Sequence, residues 1–121
     1  HYLNQRLIRV IDLILARSDQ PPIIIIQGDH GPANYFDMMR LDSTCLKERY
    51  SILNAYYFPD HNYSALYPAI TPINSFRVIF NQYFGTNLEL LEDKSYFSTW
   101  LAPYVLSDVS DEIRSCTIPS H

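Results

Sequence analysis

The amino-acid sequence predicts an α/β fold, a partial sheet flanked by helices, on three observations. Residues 3–17 carry apolar side chains at helical spacing, residues 23–26 are consecutive isoleucines, and residues 72–84 repeat apolar side chains behind a Thr-Pro start. Those patterns call for a helix, a strand covered on both faces, and a second helix.

In the first segment Leu3, Leu7, Val10 and Ile14 form one stripe, widened by Ile8, Ile11 and Leu15. Asn4, Arg6, Arg9, Asp12 and Arg17 take the other side. This spacing predicts a helix over 3–17. Pro21 and Pro22 stop it, because proline lacks the amide hydrogen and its ring clashes with the preceding turn. A strand over 22–27 follows. Successive side chains on a strand point to opposite faces, so Ile23 to Ile26 need cover on both, as in a central strand of a mostly parallel sheet. Residues 33–48 show no period and are expected to be loop, with one helical turn around Asp37 to Met39. Residues 50–58, rich in Ile, Leu and Tyr, predict a second strand ended by Pro59. A helix over 72–84 then opens with Thr71 as cap and Pro72 at the first helical position. Ile73, Phe76, Phe80 and Tyr83 recur on one face, the expected core face, and Gly85 supplies the stop. Beyond Thr86 the signals weaken to a short helix near Ser95 to Leu101.

A chain of 121 residues fits one domain or part of a larger one. Charged residues are 18%, low for a small independent domain with its large relative surface. With 10 Tyr and 6 Phe, that composition implies a face meant to be covered. The sequence begins with His1 rather than Met, and the expectation is a piece of a longer protein. A net charge of -4 with no Lys/Arg cluster excludes nucleic acid as a partner, since phosphate binding needs a basic face. The longest apolar run, Ile23 to Ile26, is far short of the roughly 20 residues that cross a bilayer, so no transmembrane segment is expected. Cys45 and Cys116 lie far apart with no C-x-x-C spacing. Two buried free thiols is the first reading, and a single disulfide stays open for an oxidising compartment.

One place carries chemistry. Asp29-His30 follows directly on the buried strand, where an open α/β sheet forms its ligand crevice. A carboxylate oxygen and an imidazole nitrogen are both good ligands for a divalent metal. Neighbours on a regular strand point apart, so both reach one region only if the backbone turns. Gly28 and Gly31 permit such a turn, including positive φ, and Pro32 keeps the chain from re-entering the sheet. The plainer alternative is an Asx-type turn with the histidine bonded to backbone.

The run Ile23-Ile24-Ile25-Ile26-Gln27-Gly28-Asp29-His30-Gly31 resembles the strand-plus-Asp-His-Gly motif of the alkaline-phosphatase/sulfatase superfamily. It is most similar to the branch of membrane-anchored sulfatase-like proteins, phosphoethanolamine transferases and lipoteichoic acid synthases. Arg49 through Pro59 resembles that branch's next block, and Leu66-Tyr67-Pro68, Thr71 through Arg77 and Tyr83-Phe84-Gly85 resemble its C-terminal helix region. The resemblance implies a C-terminal fragment of an alkaline-phosphatase-like fold, with Asp29 and His30 as ligands of a divalent ion (Zn, Mn, Ca or Mg). It implies a parent enzyme that hydrolyses or transfers phosphate or sulfate esters. The family's nucleophile (Thr, Ser, or Cys converted to formylglycine) and a further acidic ligand lie upstream of this motif. No catalytic residue is therefore expected within the chain, which alone would be inactive and would need the missing N-terminal part of the catalytic domain. Where the family usually has Ser, Gly28 precedes the Asp. By analogy the parent works at the extracytoplasmic face of the cell membrane.

Other candidates rank lower. His61 sits in a polar loop, His1 and His121 are terminal, and Cys45 has no base nearby in sequence. Arg49 could face an anionic substrate, but a surface ion pair is the first expectation. A small stand-alone metalloenzyme would recruit His61 beside Asp29 and His30. The rival from another class is a non-catalytic α/β interaction module, whose few strands would leave apolar surface for a homo-oligomer or another chain to cover.

Overall fold

The computed structural model describes residues 2–114 and 116. In chain order come α1 (Tyr2–Arg17), β1 (Ile24–Gln27), a 3-10 turn (Leu41–Ser43), α2 (Leu46–Tyr50), β2 (Asn54–Tyr57), α3 (Pro72–Tyr83), β3 (Tyr96–Thr99) and β4 (Ala102–Asp108). Helices are mixed with two small antiparallel sheets, β1 with β2 and β3 with β4. No helix among the described residues is long and apolar enough to cross a membrane.

The expected parallel arrangement of the isoleucine strand does not occur among the described residues. β1 pairs antiparallel with β2, Ile24 opposite Tyr57 and Gln27 opposite Asn54, and Gln27 Nε2 donates to Asn54 Oδ1 at 3.1 Å. Every residue of β1 is half-buried rather than enclosed. Both strands are shorter than expected. β2 begins at Asn54 because Leu46–Tyr50 forms a short helix in place of loop and strand.

α1 has the expected limits but buries none of its residues; Leu3 stays 76% and Val10 51% exposed. Its apolar stripe is largely exposed, with Leu7 and Ile11 half-buried. α3 also has its expected limits, with Pro72 in its first turn and Gly85 at φ +65° just after its end. Only glycine adopts that conformation without strain. Its faces, however, are largely reversed, with Tyr83 of the expected core face still half-buried against Phe58. Ile73, Phe76 and Phe80 are exposed, and the last two stack along the helix with Phe84. The buried face carries Asn74, Ser75, Val78 and Ile79. Thr71 does not cap with its side chain. Its amide and hydroxyl both donate to Asp93 Oδ1, at 2.8 and 2.6 Å.

The reversal has a polar cause. Asn74 Nδ2 donates to the Leu91 carbonyl at 2.7 Å and its Oδ1 accepts the Leu91 amide at 2.9 Å. Asn81 does the same with Leu88, at 2.8 and 2.7 Å. The segment from Leu88 to Asp93 is thus bonded along α3 as a strand would be bonded to its neighbour, by side-chain amides that imitate backbone. Burial pushes the Asp93 carboxyl up, but hydrogen bonds from Thr71, Tyr67 and Asn74 outweigh it and hold the group below its ordinary value.

Two small cores stand beside this seam. Phe58, wholly buried, is stacked on Tyr63 at 5.2 Å and meets Tyr83 edge-on at 5.3 Å; such pairs contribute about 0.5–1.5 kcal/mol each beyond their buried area. Burial and the neighbouring Asp60 push the Tyr83 hydroxyl up to about 12. The second core is Leu46, Phe97 and Val109, ringed by Phe36, Leu41, Tyr50 and Ile113. Phe97 reaches it from a hairpin, where a short helix near Ser95 to Leu101 was expected; Tyr96, Phe97 and Thr99 are strand-favouring residues.

Cys45 and Cys116 are joined, with Cα atoms 4.4 Å apart across 71 residues of sequence. The first reading, free thiols, fails because the long return through the hairpin to residue 116 leaves no trace in sequence spacing. Closing a loop of that length contributes about 4 kcal/mol in the chain-entropy account.

Candidate functional site

The Asp-His-Gly turn leaves β1 and is pinned at both ends. The Gly28 amide donates to the Leu53 carbonyl at 2.8 Å, and the Gly31 amide to the Arg49 carbonyl at 2.7 Å. Neither glycine has positive φ. Their roles differ in another way. A side chain on Gly31 would collide with the Glu48 carbonyl oxygen and come within 2.7 Å of the Ser51 oxygen, whereas one on Gly28 would meet only ordinary contacts at 3.5 Å. Gly31 lets the turn lie against the backbone of α2, which sets His30 beside Arg49.

Both parts of the plain Asx-turn reading are present. Asp29 Oδ1 accepts the His30 amide at 3.0 Å, and His30 Nδ1 lies 2.8 Å from the Gly31 carbonyl oxygen. A carbonyl only accepts, so Nδ1 carries a proton. The other ring nitrogen, Nε2, is 3.6 Å from Asp29 Oδ2. A ring protonated at both nitrogens makes this contact an ion pair, whereas the tautomer with the proton on Nδ1 alone leaves a lone pair at Nε2 that a cation can share with Asp29. A tetrahedral ion with ligand bonds of about 2.0–2.1 Å holds its donor atoms about 3.3 Å apart, close to this separation. The ring nitrogen opposite a metal ligand is ordinarily tied to a carbonyl or carboxylate in this way. The Asp29 side chain is 89% exposed and that of His30 49%, so a ligand can reach both. Among the described residues no group of His, Cys, Asp and Glu provides a third ligand. The pair fits one edge of a metal site and does not complete it.

His61 is not part of this place. It is exposed in its own turn, with its ring edge against Tyr57 at 5.8 Å. His1 and His121 lie outside the described residues. Cys45 is in the disulfide and is no nucleophile.

Two depressions share Asp29, Tyr50 and Ile52 in their linings. An open groove of about 920 Å³ has Asp29, Tyr50, Tyr56, Tyr63 and Tyr67 among its lining residues. A smaller hollow of about 280 Å³ holds Asp29, His30, Arg49, Phe36 and Ser98. The Arg49 guanidinium lies over the Phe36 ring, 4.3 Å from its centre. The expected surface ion pair is not made, for none of the ion pairs among the described residues involves Arg49. Phe36 gave no signal in the sequence as a site residue, since 13 positions separate it from Arg49.

Comparison of the chain with protein-family models, with curated proteins and with solved structures returns no match.

Proposed function

We propose that this chain is the C-terminal part of a metal-dependent enzyme that hydrolyses or transfers phosphate or sulfate esters, with Asp29 and His30 as two of its metal ligands. The reading rests on the resemblance of the isoleucine strand and Asp-His-Gly motif to the alkaline-phosphatase/sulfatase superfamily. One structural observation carries it beyond motif: Asp29 Oδ2 and His30 Nε2 converge at 3.6 Å at the lining of an open hollow.

In this reading Asp29 and His30 donate lone pairs, and the Gly31 carbonyl fixes the tautomer that allows it. The chemistry a divalent ion supplies there is polarisation of an ester oxygen and acidification of a bound hydroxyl. The nucleophile and remaining ligands come from the missing N-terminal part of the catalytic domain. The disulfide agrees with the extracytoplasmic face of a membrane, because such bonds persist in oxidising surroundings.

A titration with Zn or Mn, followed at the His30 ring by NMR, tests the proposal. Weak, saturable binding that moves Nε2 and is lost in His30→Gln is the expected result, since a stable zinc site needs three or four ligands. Titration without a response at His30 would refute it.

One observation favours the rival, an interaction module that oligomerises or pairs with another chain. The apolar stripe of α1 and the Phe76–Phe80–Phe84 ladder of α3 are both largely exposed, more contiguous apolar surface than single scattered residues. The same titration separates the readings, for an interaction module gives no reason for His30 to answer a metal.

A further inference from the structure

The smaller hollow contains a cation whose one recorded contact is with an aromatic ring, Arg49 over Phe36. Arg49 is half-buried, and among the described residues its guanidinium rests on the Phe36 ring and forms no ion pair. A guanidinium that leans on a ring by its face keeps its planar N–H edge for a ligand, and that edge matches the oxygens of an oxyanion. Ser98 lines the same hollow, and Phe36 and Phe97 supply apolar walls. Apolar walls lower the local dielectric and strengthen a charge pair.

The geometry points to Arg49 as the residue that binds a tetrahedral oxyanion, the sulfate or phosphate of an ester, in the hollow shared with Asp29 and His30. The two depressions then divide the substrate. The charged head lies with Arg49 and the organic group it esterifies lies along the tyrosine-lined groove, with Asp29 in the lining of both. Asp29 itself repels an anion, so affinity in the chain alone is modest and rises when a cation neutralises that carboxylate. The identity of the ester rests on the reading above; the oxyanion site stands on Arg49 and its surroundings.

Inorganic sulfate and inorganic phosphate, titrated separately into the full chain without metal and against chloride at equal ionic strength, provide the test. Saturable movement of the Arg49 Nε–H resonance is expected, with affinity about tenfold or more weaker in Arg49→Gln, the scale of one charge-assisted hydrogen bond. Arg49→Lys, which keeps charge but loses the planar fork, falls between the two. The anion that binds more tightly names the class of ester. No movement at Arg49, or equal affinity in Arg49→Gln, overturns the proposal. The resonance is read in the unsubstituted protein, so the test survives a variant that fails to fold. Sulfate binding without any metal response at His30 would retain the oxyanion site and remove only the metal reading.

Discussion

Asn74 and Asp29 are polar side chains in two clusters of the same molecule, and their surroundings treat them in opposite ways. Asn74 is fully buried, and both ends of its amide are used, by Leu91, Asp93 and the Tyr67 hydroxyl. Asp29 is 89% exposed and only one of its oxygens has a donor, the neighbouring amide. Polar groups whose bonding is saturated inside the protein hold the fold, because leaving them unpaired would be costly. Polar groups that converge with capacity to spare are where a ligand can add something. Among the described residues no buried side-chain polar atom lacks a partner, which makes the spare acceptors and the spare guanidinium at the strand exit stand apart.

The largest expected effect tests how firmly the exposed cluster is built on its scaffold. Gly31→Ala places a methyl group against the carbonyls of Glu48 and Ser51. Neither is a flexible side-chain end, so backbone has to shift, at about 3 kcal/mol or more. Chemical denaturation of the variant measures it. A loss under about 1 kcal/mol would mean that the turn is not held against α2 as described.

The seam comes next. Asn74→Ala removes the amide that pairs with Leu91 and one donor to Asp93, and an expected loss of about 2–3 kcal/mol follows from the groups left without partners. Amide hydrogen exchange should rise at Leu91 more than at Ile25, in β1. Equal exchange at both would mean that the seam is not a unit of its own.

Helix limits were legible in the sequence because their signals are local: proline before, glycine after, and a period of side chains between. The turn was legible for the same reason, since Gly28, Asp29, His30 and Gly31 are contiguous. What sequence could not deliver is whatever depends on distant segments. The face of α3 was assigned to its aromatic stripe, yet Asn74 and Ser75 are buried through bonds to Leu91, Asp93, Thr71 and Tyr56. Hydrophobic periodicity has no term for a polar side chain with a waiting partner. The antiparallel partner of β1, the disulfide and the Phe36–Arg49 stack are long-range or meet across loops, and no spacing announces them. The hairpin of β3 and β4 was a different failure, because its strand-favouring residues were there to be read.

The smallest expected effect is the most informative about Asp29. Asp29→Asn keeps the shape of the side chain and an oxygen to accept the His30 amide, so the turn loses only a charge and one ligand atom. Stability should stay within about 0.5 kcal/mol, as for exposed positions without a special contact. Metal response at His30 should fall, since an amide oxygen is a poorer donor than a carboxylate. The two measurements have to separate if Asp29 serves a ligand rather than the fold. A variant as destabilised as Asn74→Ala would put Asp29 with the seam, as a group the structure needs for itself, and would leave His30 without its partner at the hollow.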